Sequence, residues 1–353
     1  MEKPNESVKM LNMFLHPVFT VKDGVVIDRN NAASMVEIGT PVSSFMADSL
    51  DEYQAYEGGF LSLTVNFNHI EHLATILRSE DLDVFHLISA DLSAEFRTMA
   101  LISQQLRKPL ANIMSVADTL LPAITETSNK SHANQINKHL YQMLRVVSNL
   151  STAQKFAVQN NQPLQMQFLT GIINETMETA ITLVAEDRKR LQFSSLCEDI
   201  QGTANPELLE RALYNLVSNA IKFSPADSTV TAKLVRVGAK LRFTIQNDIE
   251  KDADLSNLYA RFMREPGIED GRYGVGLGIP LIQHTAVIHG GSLLMDQPEA
   301  NKVRFSLTLP IRQDTEKTFH SPTTLFFDYL GGHNHALVEL SDILSDARFA
   351  EYR

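Results

Sequence analysis

The chain has 353 residues, of which 44% are hydrophobic and 21% are charged, and its formal net charge at pH 7 is −11. This length predicts two or three domains with cores of their own, and the negative charge disfavours nucleic acid or an anionic membrane as a partner. A single cysteine, Cys197, excludes an intramolecular disulfide and fits a reducing compartment. Without a long apolar run or a signal-peptide pattern, we expect a cytoplasmic protein with no membrane insertion.

Residues 1–90 alternate short strand-like runs with turn signals. Pro17–Val21 and Val25–Ile27 flank Asp23-Gly24 and predict a hairpin, because Asp-Gly takes the positive φ angles of a tight turn. Gly59–Val65 predicts another strand. This order resembles a PAS-type sensory module, whose sheet would cradle a ligand or a partner. A small α+β domain without a ligand is the alternative.

The pattern of residues 91–158 predicts two long antiparallel helices. The first helix ends at Pro122, and a polar turn at Thr125–Ser131 leads into the second. Apolar residues recur at steps of three and four, which places them along one side of each helix. These residues are Leu92, Phe96, Met99, Ile102, Leu106, Leu110, Ile113, Ala117 and Leu120, then Ile136, Leu140, Met143, Val147 and Leu150. Two such hairpins would bury the remaining apolar seam as a four-helix bundle, so we expect a homodimer.

Residues 162–313 carry an α/β pattern. The predicted helices are Ile172–Arg190, Pro206–Phe223 and Ile279–His289, and the predicted strands are Val230–Val235, Leu241–Ile245 and Lys302–Leu309. Helices covering one face of a sheet give an α/β sandwich. Residues 314–353 form a C-terminal extension of unknown role, with an apolar helix predicted from Ala336 to Leu344; its two histidines, His333 and His335, are too few for a metal site.

One helix carries a polar face suited to phosphate chemistry. Asn215, Asn219 and Lys222 are spaced i, i+4 and i+7 and therefore share one side of the helix. Its apolar residues fall on the other side: Leu213, Leu216, Val217 and Ile221. Two amides and an ammonium suit Mg²⁺ and phosphate oxygens, because hard cations prefer oxygen ligands. A solvated polar face is the alternative for this motif taken alone.

A glycine-rich segment follows downstream, from Gly274 through Gly276 to Gly278, and leads directly into a helix. Glycines let the backbone approach a phosphate closely, and a helix N-terminus offers free N–H groups and a favourable dipole. A lone G-x-G motif is weak evidence for a phosphate site, but its occurrence together with the asparagine helix is a specific signal.

Together these two motifs resemble the histidine-kinase ATPase domain, which is shared more broadly with Hsp90, gyrase B and MutL. The resemblance covers about residues 162–311 and implies that ATP and Mg²⁺ bind here. It implies Asn219 as the Mg²⁺ ligand and Lys222 as a phosphate contact. The other nucleotide-binding positions implied by the asparagine box and the glycine lid are Asn215, Phe223, Gly274, Gly276, Leu277 and Gly278. Tyr259–Arg264 resembles the intervening Phe-box, and His289-Gly290-Gly291 also follows the family pattern.

One departure from the family lies on the adenine side of the site. The family usually has Asp-x-Gly-x-Gly, whose aspartate accepts a hydrogen bond from the adenine amino group. Here Asn247 stands at that position and the glycines are missing. An amide oxygen also accepts a hydrogen bond, but a bond to an uncharged acceptor is weaker.

A larger departure lies in the helical stalk. Histidine kinases carry Ser-His-Glu-Leu-Arg-Thr-Pro-Leu or a close relative, and this chain has Ser-Gln-Gln-Leu-Arg-Lys-Pro-Leu from Ser103 to Leu110. Gln104 replaces the histidine that accepts the phosphoryl group, Gln105 replaces the acidic general base, and Lys108 replaces the residue implied in the phosphatase reaction. The sequence therefore predicts a family member without catalytic residues for autophosphorylation.

The resemblance implies an α+β multidomain protein with a PAS-like module, a dimeric four-helix bundle and an α/β-sandwich ATPase domain. We expect a pseudokinase that binds ATP and regulates a response regulator or a partner histidine kinase. Two alternatives stay open. One is an active kinase that uses another acceptor, with His139 on the second stalk helix as the nearest histidine, or that phosphorylates a partner protein. The other is a structural dimer whose nucleotide site no longer functions.

Overall fold

The computed structural model of the chain describes residues 11, 16–46, 49–79, 82–88, 94–124, 127–158, 164–187, 190–249, 277–311 and 332–350. The helices are α1 (Leu50–Ala55), α2 (Ala94–Leu120), α3 (Thr127–Val158), α4 (Leu169–Glu186), α5 (Pro206–Lys222), α6 (Gly278–Ile288) and α7 (His335–Glu339). The strands are β1 (Val18–Lys22), β2 (Val25–Arg29), β3 (Phe60–Phe67), β4 (Ile70–Arg78), β5 (Asp83–Ile88), β6 (Gln165–Phe168), β7 (Arg190–Ser195), β8 (Gln201–Ala204), β9 (Thr229–Val237), β10 (Lys240–Asp248), β11 (Ser292–Glu299) and β12 (Lys302–Pro310).

The N-terminal strands form an antiparallel unit in the order β2-β1-β5-β4-β3. The predicted hairpin is confirmed: Asp23 and Gly24 join β1 to β2 with φ angles of 51° and 74°. The predicted strand beginning near Gly59 is confirmed as β3. The core of this unit is built from stacked and edge-on phenylalanine rings, those of Phe19, Phe45, Phe67 and Phe85.

Helices α2 and α3 pack against each other as the predicted hairpin. Helix α3 begins at Thr127, so the connection between the helices is shorter than the predicted polar turn. The reason is that serine, threonine and asparagine also suit the first turn of a helix, where their side chains can accept hydrogen bonds from free N–H groups. The apolar positions divide into two sets. Leu110, Ala117, Leu140 and Val147 are buried, whereas these are exposed: Ile102, Leu106, Ile113, Val116, Leu120, Ile136 and Met143. None of the described helices is long and apolar enough to cross a lipid bilayer.

The second half of the chain builds five further strands in the order β11-β12-β10-β9-β7, against which α4, α5 and α6 pack. The predicted helix Ile172–Arg190 is wrong at its end, because α4 stops at Glu186 and Arg190 begins β7. Strand β7 pairs in parallel with β9, and these backbone bonds take Arg190–Ser195 into the sheet. Strands β6 and β8 form a separate pair.

The two sets of strands join into one ten-stranded sheet. Strand β3 pairs with β11, from Phe60 opposite Met295 to Ser62 opposite Leu293. Two side-chain contacts cross the same junction. Gln283 Nε2 on α6 donates to Ser62 Oγ at 2.9 Å between buried side chains, and Lys240 Nζ lies 2.6 Å from a carboxylate oxygen of Glu52.

Residues 332–350, here called the C-terminal segment, pack on α3, α4 and α5. The predicted apolar helix is shorter than expected, since α7 ends at Glu339 and turns follow it. Asn334 caps α7 by accepting a hydrogen bond from Leu337 N at 3.1 Å. The segment therefore lies on the same helix that carries the two asparagines.

Candidate functional site

Helix α5 is held firmly at its start. Asn205 caps it by accepting from Leu208 N at 3.2 Å, and Pro206 occupies the first helical position, where its missing N–H costs little. The backbone N–H of Asn205 donates to His289 Nε2 at 2.9 Å, and His289 Nδ1 lies 2.6 Å from Thr285 O. These partners assign the proton to Nδ1, and burial lowers the pKa of His289 so that the ring stays neutral. His289 thus ties the end of α6 to the start of α5.

The apolar side of α5 is buried in the main core, as predicted; the residues concerned are Leu213, Leu216, Val217 and Ile221. Their burial turns the polar side of the helix toward α6. A Cβ added at Gly278 would lie 3.3 Å from Asn215 Oδ1 and 3.7 Å from Asn219 Nδ2. The first residue of α6 therefore lies next to both asparagine amides, which the resemblance assigned to the same site. Leu277, the residue before it, is buried against Leu208 and Leu281.

This arrangement fits a nucleotide phosphate chain with its metal. Gly278 lacks the Cβ that would fill the space beside the two amides. It begins an 11-residue helix, long enough for free N–H groups and a dipole at its N-terminus. Amide oxygen is a suitable ligand for Mg²⁺. The amino-acid types and their spacing thus agree with the chemistry implied by the sequence.

Asn215 is already engaged with other side chains. It is 1% exposed, and its Oδ1 accepts from Arg145 Nη2 at 3.0 Å. Its Nδ2 donates to the carbonyl of Arg211 at 2.8 Å and lies 3.4 Å from Glu339 Oε2. In this arrangement Asn215 connects the stalk helix α3 to the C-terminal segment, so its predicted contact with nucleotide stays a prediction.

The end of α5 carries the other two members of the asparagine box. Lys222 is half-buried, and its Nζ lies 3.6 Å from Asp342 Oδ2. Phe223 follows the helix, and its N–H donates to Asn219 O at 3.1 Å. Both residues therefore lie at the C-terminal end of α5.

Asn247 lies near the end of β10, where it pairs with Val303 of β12. Its side chain is buried, and Nδ2 donates to the carbonyl of Asp248 at 2.8 Å. This contact orients the amide and makes Oδ1 its acceptor atom. The geometry is therefore compatible with acceptance of a hydrogen bond from an amino group, although without the charge of an aspartate.

The remaining predicted positions divide between the stalk and residues outside the described ranges. Gln104, Gln105 and Lys108 are exposed on α2, and the neighbouring Arg107 donates from Nη2 to Ser151 Oγ on α3 at 3.3 Å. Lid residues Gly274 and Gly276 and the Phe-box segment Tyr259–Arg264 lie outside the described residues.

Sequence reasoning missed four charged residues around Asn215. Arg145 comes from α3, Arg211 from α5, and Glu339 and Asp342 from the C-terminal segment. Arg211 carried a local signal, since it precedes Asn215 by one helical turn. The others come from distant parts of the chain and carried none.

Comparison with known proteins gives a consistent assignment. The histidine kinase-, DNA gyrase B- and HSP90-like ATPase family matches residues 204–313, which include both asparagines, Lys222, Asn247 and the glycine-rich segment. The sensor protein KdpD of Clostridium acetobutylicum is 28% identical over 218 residues, covering 59% of this chain and 24% of that protein. The sensor histidine kinase CusS of Escherichia coli strain K12 is 25% identical over 255 residues, covering 70% of this chain and 49% of that protein.

A solved structure of full-length ShkA in complex with AMPPNP also matches, with 19% identity and a TM-score of 0.48, over 62% of this chain and 46% of that one. The chain spans less than half the length of the two curated relatives above.

Proposed function

We propose that this chain, a member of the sensor histidine kinase family, is a homodimeric signalling protein that binds Mg-ATP but does not phosphorylate itself. The observation that carries the first part is the position of Gly278, where an added Cβ would lie 3.3 Å from Asn215 Oδ1 and 3.7 Å from Asn219 Nδ2. The second part rests on Gln104, which occupies the acceptor position of the stalk motif. A glutamine amide nitrogen has no basic lone pair with which to attack a phosphoryl group.

Each site residue has a role in this proposal. Asn219 would offer an amide oxygen to the Mg²⁺ that accompanies the nucleotide, and Lys222 an ammonium group to the phosphates. The N-terminal N–H groups of α6 would face the phosphate chain. Asn247 would accept a hydrogen bond from the adenine amino group. The nucleotide, when bound, supplies the γ-phosphoryl group, for which the stalk has no imidazole acceptor at residue 104.

The output of such a protein is conformational. We propose that residues 1–90 are a PAS-like input module and that the output reaches a response regulator or a partner histidine kinase. The contact between Ser62 and Gln283 supports this path, because it links strand β3 of the module to the helix that begins at Gly278. A change in the module would thus act on the element that contacts the nucleotide.

Nucleotide binding is tested by titration calorimetry with Mg-ADP and Mg-ATP up to millimolar concentrations. We expect Asn219→Ala to weaken binding about tenfold or more, since contacts to charged groups contribute roughly 1.5–3 kcal/mol. Asn247→Asp should tighten binding by adding charge to the adenine acceptor. Asn112→Ala, an exposed asparagine of α2, is the control and should leave the affinity unchanged. Absence of heat and of any thermal shift in the wild type and in every variant would contradict the proposal.

Autophosphorylation is tested with γ-labelled ATP. We expect no acid-labile phosphate on α2 or α3 of the wild type. Gln104→His with Gln105→Glu should restore part of it, because the change returns a nucleophile and its base to a helix that keeps Leu106, Arg107 and Pro109. Gln104→Asn with Gln105→Asp is the matched control, which supplies the acid without an imidazole.

His139 is the site at which the alternative of an active kinase would become visible. It lies exposed on α3, with Nδ1 2.9 Å from Gln142 Oε1. Acid-labile phosphate mapped to His139 in the wild type would replace the pseudokinase with an active enzyme.

A further inference from the structure

The C-terminal segment covers the polar face of α5 and is anchored by an apolar side. Leu337, Leu340, Leu344 and Phe349 are buried in the main core. The Phe349 ring lies edge-on to Tyr141 of α3, with 5.2 Å between the ring centroids. The segment is therefore packed as part of the fold, and this packing places its charged residues beside α5.

Two carboxylates of this segment lie among the cations beside Asn215. Glu339 is fully buried; its Oε1 is 3.0 Å from Arg211 Nε, in an ion pair without hydrogen-bond geometry, and its Oε2 is 3.6 Å from Arg145 Nε. Asp342 Oδ2 lies 2.8 Å from Arg145 Nη1 and 3.6 Å from Lys222 Nζ. Three cations thus share two carboxylates that come from outside the ATPase domain.

These partners overlap with the groups that a nucleotide would need. Lys222 and Asn215 belong to the asparagine box, and both contact the C-terminal segment, at 3.6 Å from Asp342 and 3.4 Å from Glu339. A phosphate chain at the same place would bring further negative charge beside two carboxylates already paired there. Glu339 is fully buried and the side chain of Asp342 is only 31% exposed, so like charges there repel more strongly than they would in bulk water.

We propose that the C-terminal segment is a tethered anionic competitor of the nucleotide, so that Mg-nucleotide binds the chain only after Glu339 and Asp342 leave the polar face of α5. This inference rests on the proposed nucleotide site and assigns its regulation. A competitor on the same chain acts at a high effective concentration, and the apparent affinity for nucleotide falls by the fraction of molecules whose segment is displaced.

The segment has a second anchor, which allows its position to be tested without changing the site. Asp187, just after α4, accepts hydrogen bonds from Ser345 N at 2.5 Å and Ser345 Oγ at 2.6 Å. Its Oδ1 also lies 3.3 Å from Arg348 Nε. Loosening this anchor should shift the equilibrium toward the displaced segment and leave Lys222, Asn215 and both arginines intact.

The experiment is calorimetric titration of the full chain with Mg-ADP. Two variants are compared with the wild type: Glu339→Gln with Asp342→Asn, and Asp187→Asn alone. We expect both to bind Mg-ADP at least tenfold more tightly than the wild type. The charge-matched controls change exposed carboxylates of α4. Glu175→Gln with Glu178→Gln is the control for the double variant, and Glu178→Gln alone is the control for Asp187→Asn. Both controls should bind Mg-ADP with the affinity of the wild type. Circular dichroism verifies that each variant is folded.

Hydrogen exchange supplies a readout on the segment itself. Saturating Mg-ADP should speed amide exchange at Leu337–Leu344 in the wild type. Three outcomes would contradict the competitor but not the nucleotide site. They are equal affinities in all variants, tighter binding only in the Glu339 and Asp342 variant, and weaker binding in either test variant. A complete lack of nucleotide binding in every variant would overturn both the competitor and the proposed function.

Discussion

Replacing Gly59 by alanine is expected to open the junction between the N-terminal strands and the ATPase half of the sheet. Gly59 has φ +90°, and an added Cβ would lie 2.2 Å from the carbonyl oxygen of Met295 and 3.0 Å from Asp296 Cα. Both are backbone atoms, so no side chain can rotate to make room. Forced contacts of this kind cost roughly 1–3 kcal/mol, and the left-handed conformation adds about 1–2 kcal/mol for a residue with a Cβ.

Amide exchange at Phe60–Ser62 and Leu293–Met295 measures this effect, because these residues form the shared ladder. We expect exchange there to become much faster, together with a lower Tm. Gly58→Ala is the matched control, since nothing lies within 4 Å of its added Cβ and its φ is not positive. Similar exchange in the two variants would show that the junction is not held in this way.

Replacing Ile113 by aspartate is expected to dissociate the proposed dimer. Ile113 is 52% exposed on α2, in line with exposed Leu106 and Leu120. Burying one isoleucine stabilises an interface by roughly 1.5–3 kcal/mol, and a two-fold axis applies each change twice. The substitution should therefore raise the dimer Kd by about 10²- to 10⁴-fold.

Sedimentation of the full chain measures the dimer. Ala111→Asp is the control, because Ala111 is exposed on the other side of α2. This substitution adds the same charge away from the apolar seam. A wild type that stays monomeric at tens of micromolar, or an unchanged Kd in Ile113→Asp, would contradict the dimer.

Local rules predicted the parts of the site that lie on single elements. The helical period placed Asn215, Asn219 and Lys222 on one face, and the turn preference of Asp23-Gly24 placed the first hairpin. The close approach of Gly278 to the asparagines followed from motif order through the family resemblance.

Long-range pairing was not predictable from the same rules. Strand β7 is a short mixed run that becomes a strand only through its parallel partner β9. Glu339 lies in an apolar run of the sequence, and its ion pairs are made with Arg145 and Arg211 on other helices. In the stalk, periodicity predicted one seam, but it could not tell which residues face the other helix, as Leu110 does, and which stay exposed, as Ile113 does.

The short pairing of β3 with β11 has a practical consequence for work with fragments. Strands β3 and β11 each have one other neighbour, β4 and β12, so each becomes an edge strand once the pairing is lost. An edge strand presents unpaired N–H and C=O groups that template association with other chains. A fragment limited to residues 162–313 would carry this open edge at Leu293–Met295, and a fragment limited to residues 1–90 would carry it at Phe60–Ser62. Each half of the chain thus shields the other from aggregation, and isolated halves will need a charged substitution along that edge to stay in solution.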